Sequence, residues 1–590
     1  MKMLRGWSVV VVLSLACQHA PSRPTADAAA LGFEVRVQVA TPGPLQGRLL
    51  VVIAASAEKE PRELVNDDDA TAQVFGVDAH GLSVGSSVRV AGDVLGAPVA
   101  KLSGLPTGDY WVQAVLNRYE TFARADGKTL ELPPDQGEGQ SWFEKPGNLL
   151  STPKRMHLEV GVTGTVVLEL NHLVPPLPPR MDTAFVKHIR IRSEKLSAFW
   201  GRPVELGAIV LLPEGFESHP ASHYPLVLNH NHFTRTLSGW RETPAEPSLP
   251  PPDLAALARD CPNGHGTLCA KHGYKRIEQE NGYAFYQQWR GANFPRVLLV
   301  QLEHANPFYD DSYAVNSVNV GPYGDALVEE LLPYIEKRFR GLGPWARGMY
   351  GGSTGGWESL ADQVLYPDAF NGAVASCPDP VDFHAYESVN LYADRNAYFS
   401  EGFFRRTPRP ASRTGLGYTA STVEQENQKE LVLGTRSRSG GQYDIWEAVF
   451  SPVGDDGYPR RVYDKQTGRV DPVTVAYWRE HFDLTHLLER DWATLGPKLQ
   501  GKLHVNVGRV DTYFLEGAVY RLERSLRAAK NPTSDAHFAY GLTDGHCWTG
   551  DAQHPNFLSR LQTHARTIPI LVKHFLESAP PGADTTSWRY

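Results

Sequence analysis

The 590-residue sequence lacks the features that mark several protein classes. Its net charge is only −8, so no excess of basic residues points to a nucleic-acid partner. The apolar run near the N-terminus, residues 7–15, is too short to span a bilayer permanently. With 42% hydrophobic and 21% charged residues, the composition is that of a soluble globular protein. One ordinary core does not extend over this length, so we expect two domains or one large domain with additions.

The N-terminus has the pattern of an export signal, with two basic residues before the apolar run. Cys17 follows a small residue, which is typical of a bacterial lipoprotein cleavage site, although Ser14 stands where that motif usually has Leu. We expect a signal peptide over residues 1–17 with a lipid on Cys17; an ordinary cleavage site within residues 26–28 is the alternative. Because Gln18 gives no inner-membrane retention signal, we expect an outer-membrane lipoprotein that faces the periplasm or the cell exterior.

Cysteine is scarce, and four cysteines remain beyond the signal: Cys261, Cys269, Cys377 and Cys547. An even number in an exported protein favours disulfides. Cys261 and Cys269 would close a small loop. We favour a second bridge between Cys377 and Cys547, which would pin the loop after His546 to the sheet, although connectivity cannot be read from the sequence.

Two clusters also resemble metal sites. Cys261 and Cys269 alternate with His265 and His272 in a zinc-like spacing, but in an exported loop we favour a disulfide with bystander histidines. Residues 66–69, Asn-Asp-Asp-Asp, resemble a calcium loop, and we favour a solvated acidic loop there.

The segment over residues 30–175 has a β rhythm. Residues 33–39 alternate apolar and polar side chains, and residues 49–53 form a buried run. No helical period of useful length is present. We expect a small immunoglobulin-like β-sandwich, followed by a stiff proline-rich linker at residues 174–179.

From about residue 182, strand patterns alternate with helical ones, which predicts a mostly parallel sheet in a domain over residues 182–577. Strands are expected at residues 187–193, 204–213, 224–229, 296–301, 371–376, 503–508 and 536–540, and helices at 323–339 and 557–575. Two long insertions interrupt this pattern. The first, at about 240–293, is expected to be irregular, and the second, at 385–495, lies where hydrolases often have a cap over the active site.

One stretch organises the second domain: Gly351-Gly352-Ser353-Thr354-Gly355. A strand before it and a helix after it give the strand–turn–helix elbow of the α/β-hydrolases, in which a serine occupies a strained turn between small residues. The same pattern recurs around Ser83, but there a strand follows, so Ser83 is interpreted as a loop serine. We therefore predict an α/β-hydrolase fold with Ser353 as the nucleophile.

A base and an orienting carboxylate follow in the order that this fold requires. Asp511 comes directly after the strand at 503–508, and His546 after the strand at 536–540. Asp544 is the rival acid, but it stands only two residues from His546. A core histidine is the alternative interpretation of His546.

Two backbone N–H groups should stabilise an oxyanion. Thr354 follows the nucleophile, and Asn231 or His232 lies in the loop after the strand at 224–229. His230 and His232 also form a pair that metal-dependent hydrolases place at a strand end, but further ligands cannot be assembled. We expect no cofactor and no metal.

The sequence resembles the esterase D, enterochelin esterase and feruloyl esterase-like family of α/β-hydrolases. The resemblance rests on residues 208–216, 224–227, 351–357 and 366–372, within matching regions at about 185–385 and 500–575. It implies ester hydrolysis through an acyl-enzyme and carries the triad onto Ser353, Asp511 and His546. The insertions and the β-domain match no member of the family, so the resemblance does not indicate which ester is the substrate. In some feruloyl and tannin esterases, a cysteine after the catalytic histidine forms a disulfide with a cysteine just before the nucleophilic serine. Here Gly352 stands before Ser353, so this likeness fails.

These features together predict an exported serine esterase that acts on a small or polymer-linked ester and contacts a membrane only through the lipid on Cys17. An acyltransferase or a peptidase with the same triad is one alternative. The other is a non-catalytic surface binding protein on a hydrolase scaffold.

Overall fold

The computed structural model describes residues 31–67, 70–135, 141–232, 235–264, 267–308 and 312–590. The predicted signal peptide, Cys17 and the alternative cleavage site lie outside these ranges. Within them, no helix is both long enough and apolar enough to cross a membrane.

The first part of the chain forms a ten-stranded sheet. Its strands are β1 (Gly32–Val37), β2 (Leu45–Ala54), β3 (Gln73–Leu82), β4 (Ser87–Ala91), β5 (Leu95–Ala97), β6 (Gly108–Ala123), β7 (Thr129–Leu132), β8 (Leu149–Ser151), β9 (Lys154–Leu158) and β10 (Thr165–Leu173). The order is β4-β1-β10-β8-β6-β2-β3-β5, and β7 and β9 also pair with β6.

A sandwich of two separate sheets is not confirmed here. The 16-residue strand β6 pairs with β2, β7, β8 and β9 along its length, so it joins strands that would otherwise belong to different sheets. The sheet curls around an apolar core that includes Phe33, Leu49, Leu116 and Leu168, all fully buried. Burial of this inner face gives the alternating pattern that the sequence shows.

The remaining strands are β11 (Val186–Arg192), β12 (Glu205–Leu211), β13 (Leu226–His230), β14 (Leu298–Glu303), β15 (Asn316–Ser317), β16 (Gly321–Pro322), β17 (Arg347–Gly352), β18 (Ala373–Ser376), β19 (Phe399–Glu401), β20 (Arg406–Pro408), β21 (Pro410–Arg413), β22 (Thr419–Thr422), β23 (Leu503–Gly508) and β24 (His537–Gly541). Eight of them form a second sheet in the order β11-β12-β14-β13-β17-β18-β23-β24. All pairs from β14 to β24 are parallel, and β12 is antiparallel to both neighbours. This sheet fits the predicted α/β-hydrolase fold.

The helices are α1 (Glu194–Trp200), α2 (Leu254–Asp260), α3 (Thr267–Lys271), α4 (Tyr274–Arg290), α5 (Tyr323–Ala326), α6 (Leu332–Phe339), α7 (Thr354–Leu365), α8 (Val423–Leu433), α9 (Gln442–Phe450), α10 (Pro472–Phe482), α11 (Leu484–Leu499), α12 (Glu516–Ala528), α13 (Asn556–Ser559) and α14 (Thr563–Glu577). The helix expected at 323–339 contains a π-helical turn, Leu327–Leu331, between α5 and α6. The first insertion is largely helical, because α4 buries Ile277, Phe285 and Trp289 on one face.

Candidate active site

Ser353 lies in the turn between β17 and α7. Its φ of 55° and ψ of −123° are strained for a residue with a side chain. The neighbouring glycines are required by close approach: a Cβ on Gly355 would lie 2.2 Å from the carbonyl oxygen of His230, and one on Gly351 would lie 2.6 Å from the same atom. The turn therefore has the strand–turn–helix geometry that the motif predicts.

A chain of hydrogen bonds joins Ser353, His546 and Asp511. The distance from Ser353 Oγ to His546 Nε2 is 3.1 Å, and from His546 Nδ1 to Asp511 Oδ2 it is 2.9 Å. Asp511 is fully buried, and its Oδ1 accepts the backbone N–H of Tyr513 at 2.9 Å. The rival acid Asp544 makes no hydrogen bond to His546; its backbone carbonyl accepts from Val510 instead. The arrangement can transfer a proton from the serine hydroxyl to the imidazole.

The structure contains the two favoured disulfides, Cys261–Cys269 and Cys377–Cys547. The second follows β18 at one end and His546 at the other, so it ties the histidine loop to the sheet. Among the described residues, the group with metal-ligand spacing is Cys377, His546 and Cys547, but both of these cysteines are consumed by the disulfide. His265, Asp68 and Asp69, which belong to the two other candidate clusters, lie outside the described ranges.

The predicted oxyanion donors lie beside the nucleophile. Thr354 is the first residue of α7, so its N–H has no partner within the helix. Asn231 and His232 line the same cleft as Ser353, and His232 Nε2 lies 3.4 Å from Thr354 Oγ1. The loop after β13 and the start of α7 are thus in contact next to Ser353.

The two histidines of the His-x-His pair face different surroundings. The side chain of His230 is fully buried against α7, with Nδ1 3.3 Å from Glu358 and Nε2 3.4 Å from Asp362. His304, after β14, approaches the other oxygen of Glu358 at 3.7 Å. Burial holds the pKa of Asp362 well above its usual range. This buried cluster links the end of β13 to the nucleophile helix, whereas His232 Nε2 approaches the hydroxyl of Thr354.

Asp379 is a further site residue that the sequence analysis missed. It is buried, and its Oδ1 lies 3.1 Å from Ser353 Oγ, the same distance as His546 Nε2, so the two groups compete for the one hydroxyl proton. Its Oδ2 accepts from the hydroxyls of Tyr313 at 2.6 Å and Thr354 at 3.1 Å, and from the indole of Trp446 at 3.2 Å. Burial raises the pKa of Asp379, although the hydroxyls of Tyr313 and Thr354 and the imidazoles of His232 and His546 oppose the shift. Asp379 follows β18, so it lies at the same sheet edge as the predicted triad.

A cleft of about 1150 Å³ opens over Ser353. Helices α4, α8 and α9 contribute to its walls, and so do Asp67 and Trp142 from the N-terminal sheet region. Several carboxylates face it, among them Glu387, Glu426 and Glu430. The second insertion therefore covers part of the site, as a cap would.

No family model matches the chain, and no curated protein matches it. Among solved structures, the chain is similar to a ferulic acid esterase, at 15% identity and a TM-score of 0.31 over 66% of this chain and 98% of the other. It is also similar to an S-formylglutathione hydrolase from Agrobacterium tumefaciens, at 12% identity and a TM-score of 0.29 over 66% and 96%. A prolyl endopeptidase matches at 10% identity and a TM-score of 0.31 over 90% and 57%. Likenesses this distant carry no argument about activity.

Proposed function

We propose that this protein is a serine esterase that hydrolyses a carboxylic ester through an acyl-enzyme. The observation that carries the proposal is the continuous chain of hydrogen bonds from Ser353 Oγ through His546 to Asp511. A serine hydroxyl is a weak nucleophile at neutral pH, so it needs a base, and the base needs an orienting carboxylate.

In the first half-reaction, Ser353 Oγ attacks the ester carbonyl carbon while His546 Nε2 takes the hydroxyl proton. Asp511 holds the Nδ1–H of the imidazole and stabilises the imidazolium that forms. The tetrahedral intermediate expels the alcohol, which receives its proton from His546. Water then attacks the acyl-enzyme with the same base, and the carboxylic acid leaves as Ser353 regains its proton.

The developing oxyanion needs preorganised donors. The N–H of Thr354 is one, and the N–H of Asn231 or His232 is the other. Contact between the loop after β13 and the start of α7 supports this assignment, because it brings both backbone segments beside Ser353.

Export is part of the proposal, with a signal peptide over residues 1–17, a lipid on Cys17 and an outer-membrane location. The two disulfides favour an oxidising compartment. We also propose that residues 30–175 and 182–577 are separate domains, and that the substrate is a small or polymer-linked ester.

The test is Ser353→Ala, which should lower kcat for p-nitrophenyl acetate by about 10⁴- to 10⁶-fold and abolish labelling by a fluorophosphonate probe. Ser83→Ala is the matched control, because Ser83 has the same sequence pattern in an exposed loop. Turnover and labelling retained in a folded Ser353→Ala variant would end the proposal.

An added alcohol distinguishes a hydrolase from an acyltransferase. If the acyl group passes mainly to water in its presence, hydrolysis is the activity. Rates of hydrolysis of a peptide and an ester with the same acyl group distinguish a peptidase from an esterase.

A further inference from the structure

Asp379 places a buried carboxylate next to the nucleophile. Its Oδ2 accepts three hydrogen bonds of 3.2 Å or shorter, from Tyr313, Thr354 and Trp446, so the side chain is held in place by neutral donors. In its ionised form this carboxylate opposes the negative charge that develops on the substrate oxygen. A substrate that brings its own positive charge to this position removes that opposition.

Two more carboxyl groups line the same cleft without a basic partner among the described residues. Glu387 is 8% exposed, and its hydrogen-bond partner is the hydroxyl of Tyr443, on Oε2. Its Oε1 has no partner in the described part of the chain. Glu426 accepts from the hydroxyl of Ser421 on Oε1. Both are therefore bonded only by neutral groups on one oxygen each.

Other acidic residues of this insertion are paired with bases. Glu430 and Asp444 share the buried amine of Lys465, and Glu447 lies 3.4 Å from Arg461. The contrast matters because buried charges in proteins are normally paired. Burial without a base raises the pKa of Glu426 to about 7 and that of Glu387 well above its usual range. Glu387 and Glu426 thus lack a base among the residues that the structure describes, whereas Lys429, which lines the same cleft, is paired with Asp67.

Aromatic rings connect this wall to the proposed catalytic histidine. Tyr513 packs edge-on against His546 with the ring centroids 4.8 Å apart, and Tyr443 packs against Trp446 at 5.5 Å. All three aromatic side chains line the cleft. Aromatic faces next to carboxylates are the surroundings that bind ammonium and guanidinium groups.

We propose that the cleft selects esters that carry a cationic group close to the scissile carbonyl, and that Asp379, Glu387 and Glu426 receive this group. The proposal rests on the esterase function proposed above and adds the substrate class. Asp379 acts nearest the reacting atoms, while Glu387 and Glu426 extend the acidic wall along the cleft.

The test compares pairs of esters that have the same shape and differ in charge. Acetylcholine and 3,3-dimethylbutyl acetate place the cation or its neutral replacement on the alcohol side. Methyl 4-(trimethylammonio)butanoate and methyl 5,5-dimethylhexanoate do so on the acyl side. The quantity measured is the ratio of kcat/KM within each pair, in EDTA so that free divalent ions do not occupy the wall.

For at least one pair we expect the cationic ester to be preferred by about 10- to 100-fold, because a trimethylammonium group, which has no N–H to donate, is still attracted by carboxylates and by aromatic faces. Glu387→Gln and Glu426→Gln should each lower this ratio. Asp93→Asn is the control, because Asp93 is an exposed acid that pairs with Lys101 and does not line the cleft; its ratio should match the wild type. Thermal unfolding of each variant identifies any loss of folding.

The outcomes separate this inference from the proposed function. If neutral esters are hydrolysed and Ser353 is labelled, but neither pair shows a preference for the cation, the inference is wrong and the esterase proposal stands. If the ratio is high but unchanged in both Gln variants, the acidic wall is not its cause and the inference is also wrong. If no ester is hydrolysed and no label is taken up, both fail.

Discussion

Replacing Asp511 by Asn tests the proposed proton transfer most directly, because the surroundings of this side chain fix how an amide would lie. In the wild type, one carboxylate oxygen accepts the backbone N–H of Tyr513 and the other accepts the Nδ1–H of His546. A backbone N–H can only donate, so the amide oxygen of Asn must face Tyr513 and its NH₂ must face His546. The imidazole then has to accept at Nδ1 and carry its proton on Nε2.

That tautomer cannot take the proton of Ser353, since the nitrogen 3.1 Å from Oγ is already protonated. We expect kcat for p-nitrophenyl acetate to fall by about 10⁴-fold, the loss that the same change causes in other serine triads. This is about 5.5 kcal/mol of transition-state stabilisation. Folding should be retained, because Asn has nearly the same shape and keeps the bond to Tyr513.

The assay is steady-state hydrolysis across pH 6–9, with nitrogen NMR of the histidines to identify the tautomer of His546. Asp544→Asn is the matched control, and its activity should stay within about twofold of the wild type. A 10⁴-fold loss in Asp544→Asn, or activity within tenfold of the wild type in Asp511→Asn, would refute the assignment of the acid.

Three further predictions concern the scaffold. Replacing both Cys377 and Cys547 by Ala should lower the free energy of unfolding by about 2–5 kcal/mol, measured by thermal or urea unfolding, because a link across 170 residues is lost; unchanged stability would contradict this. Gly355→Ala should lower both stability and kcat, since the added methyl meets a backbone carbonyl at 2.2 Å, whereas Gly43→Ala, with open space around it, should change neither. Burial raises the pKa of Glu426 from 4.5 to about 7, so the folded state is penalised above pH 7 and not below pH 4.5. Glu426→Gln should therefore raise the free energy of unfolding at pH 8 by about 3 kcal/mol and leave it unchanged at pH 4.5; equal effects at both pH values would contradict the burial argument.

The predicted triad residues were recognisable because each follows a strand of a mostly parallel sheet, and the ends of such strands meet at one edge. The same rule, applied to the strand at 371–376, would have identified Asp379. It was missed because a triad needs one acid and Asp511 already filled that role. The strain at Ser353 and the need for Gly355 also follow from the motif alone.

Other features depend on packing that no local pattern records. β6 pairs with four strands along its length, and only the folded chain shows that this joins them into one curled sheet. The first insertion was expected to be irregular, although Ile277, Phe285 and Trp289 of α4 have helical spacing. Glu430 pairs with Lys465, which lies 35 positions further along the chain. Because such pairs form between distant residues, the sequence does not show which acids of the cleft have a basic partner and which do not.

The position of α8 explains how the N-terminal sheet contributes to the proposed site. Val432 and Leu433 of α8 pack against the outer face of that sheet. Buried Arg48 of β2 donates to the carbonyls of Leu431 and Val432, which lie in the last turn of α8. A cation at this end of a helix satisfies carbonyls that have no partner within the helix. The same helix presents Glu426 to the cleft, so the N-terminal sheet holds in place a helix that lines the proposed site.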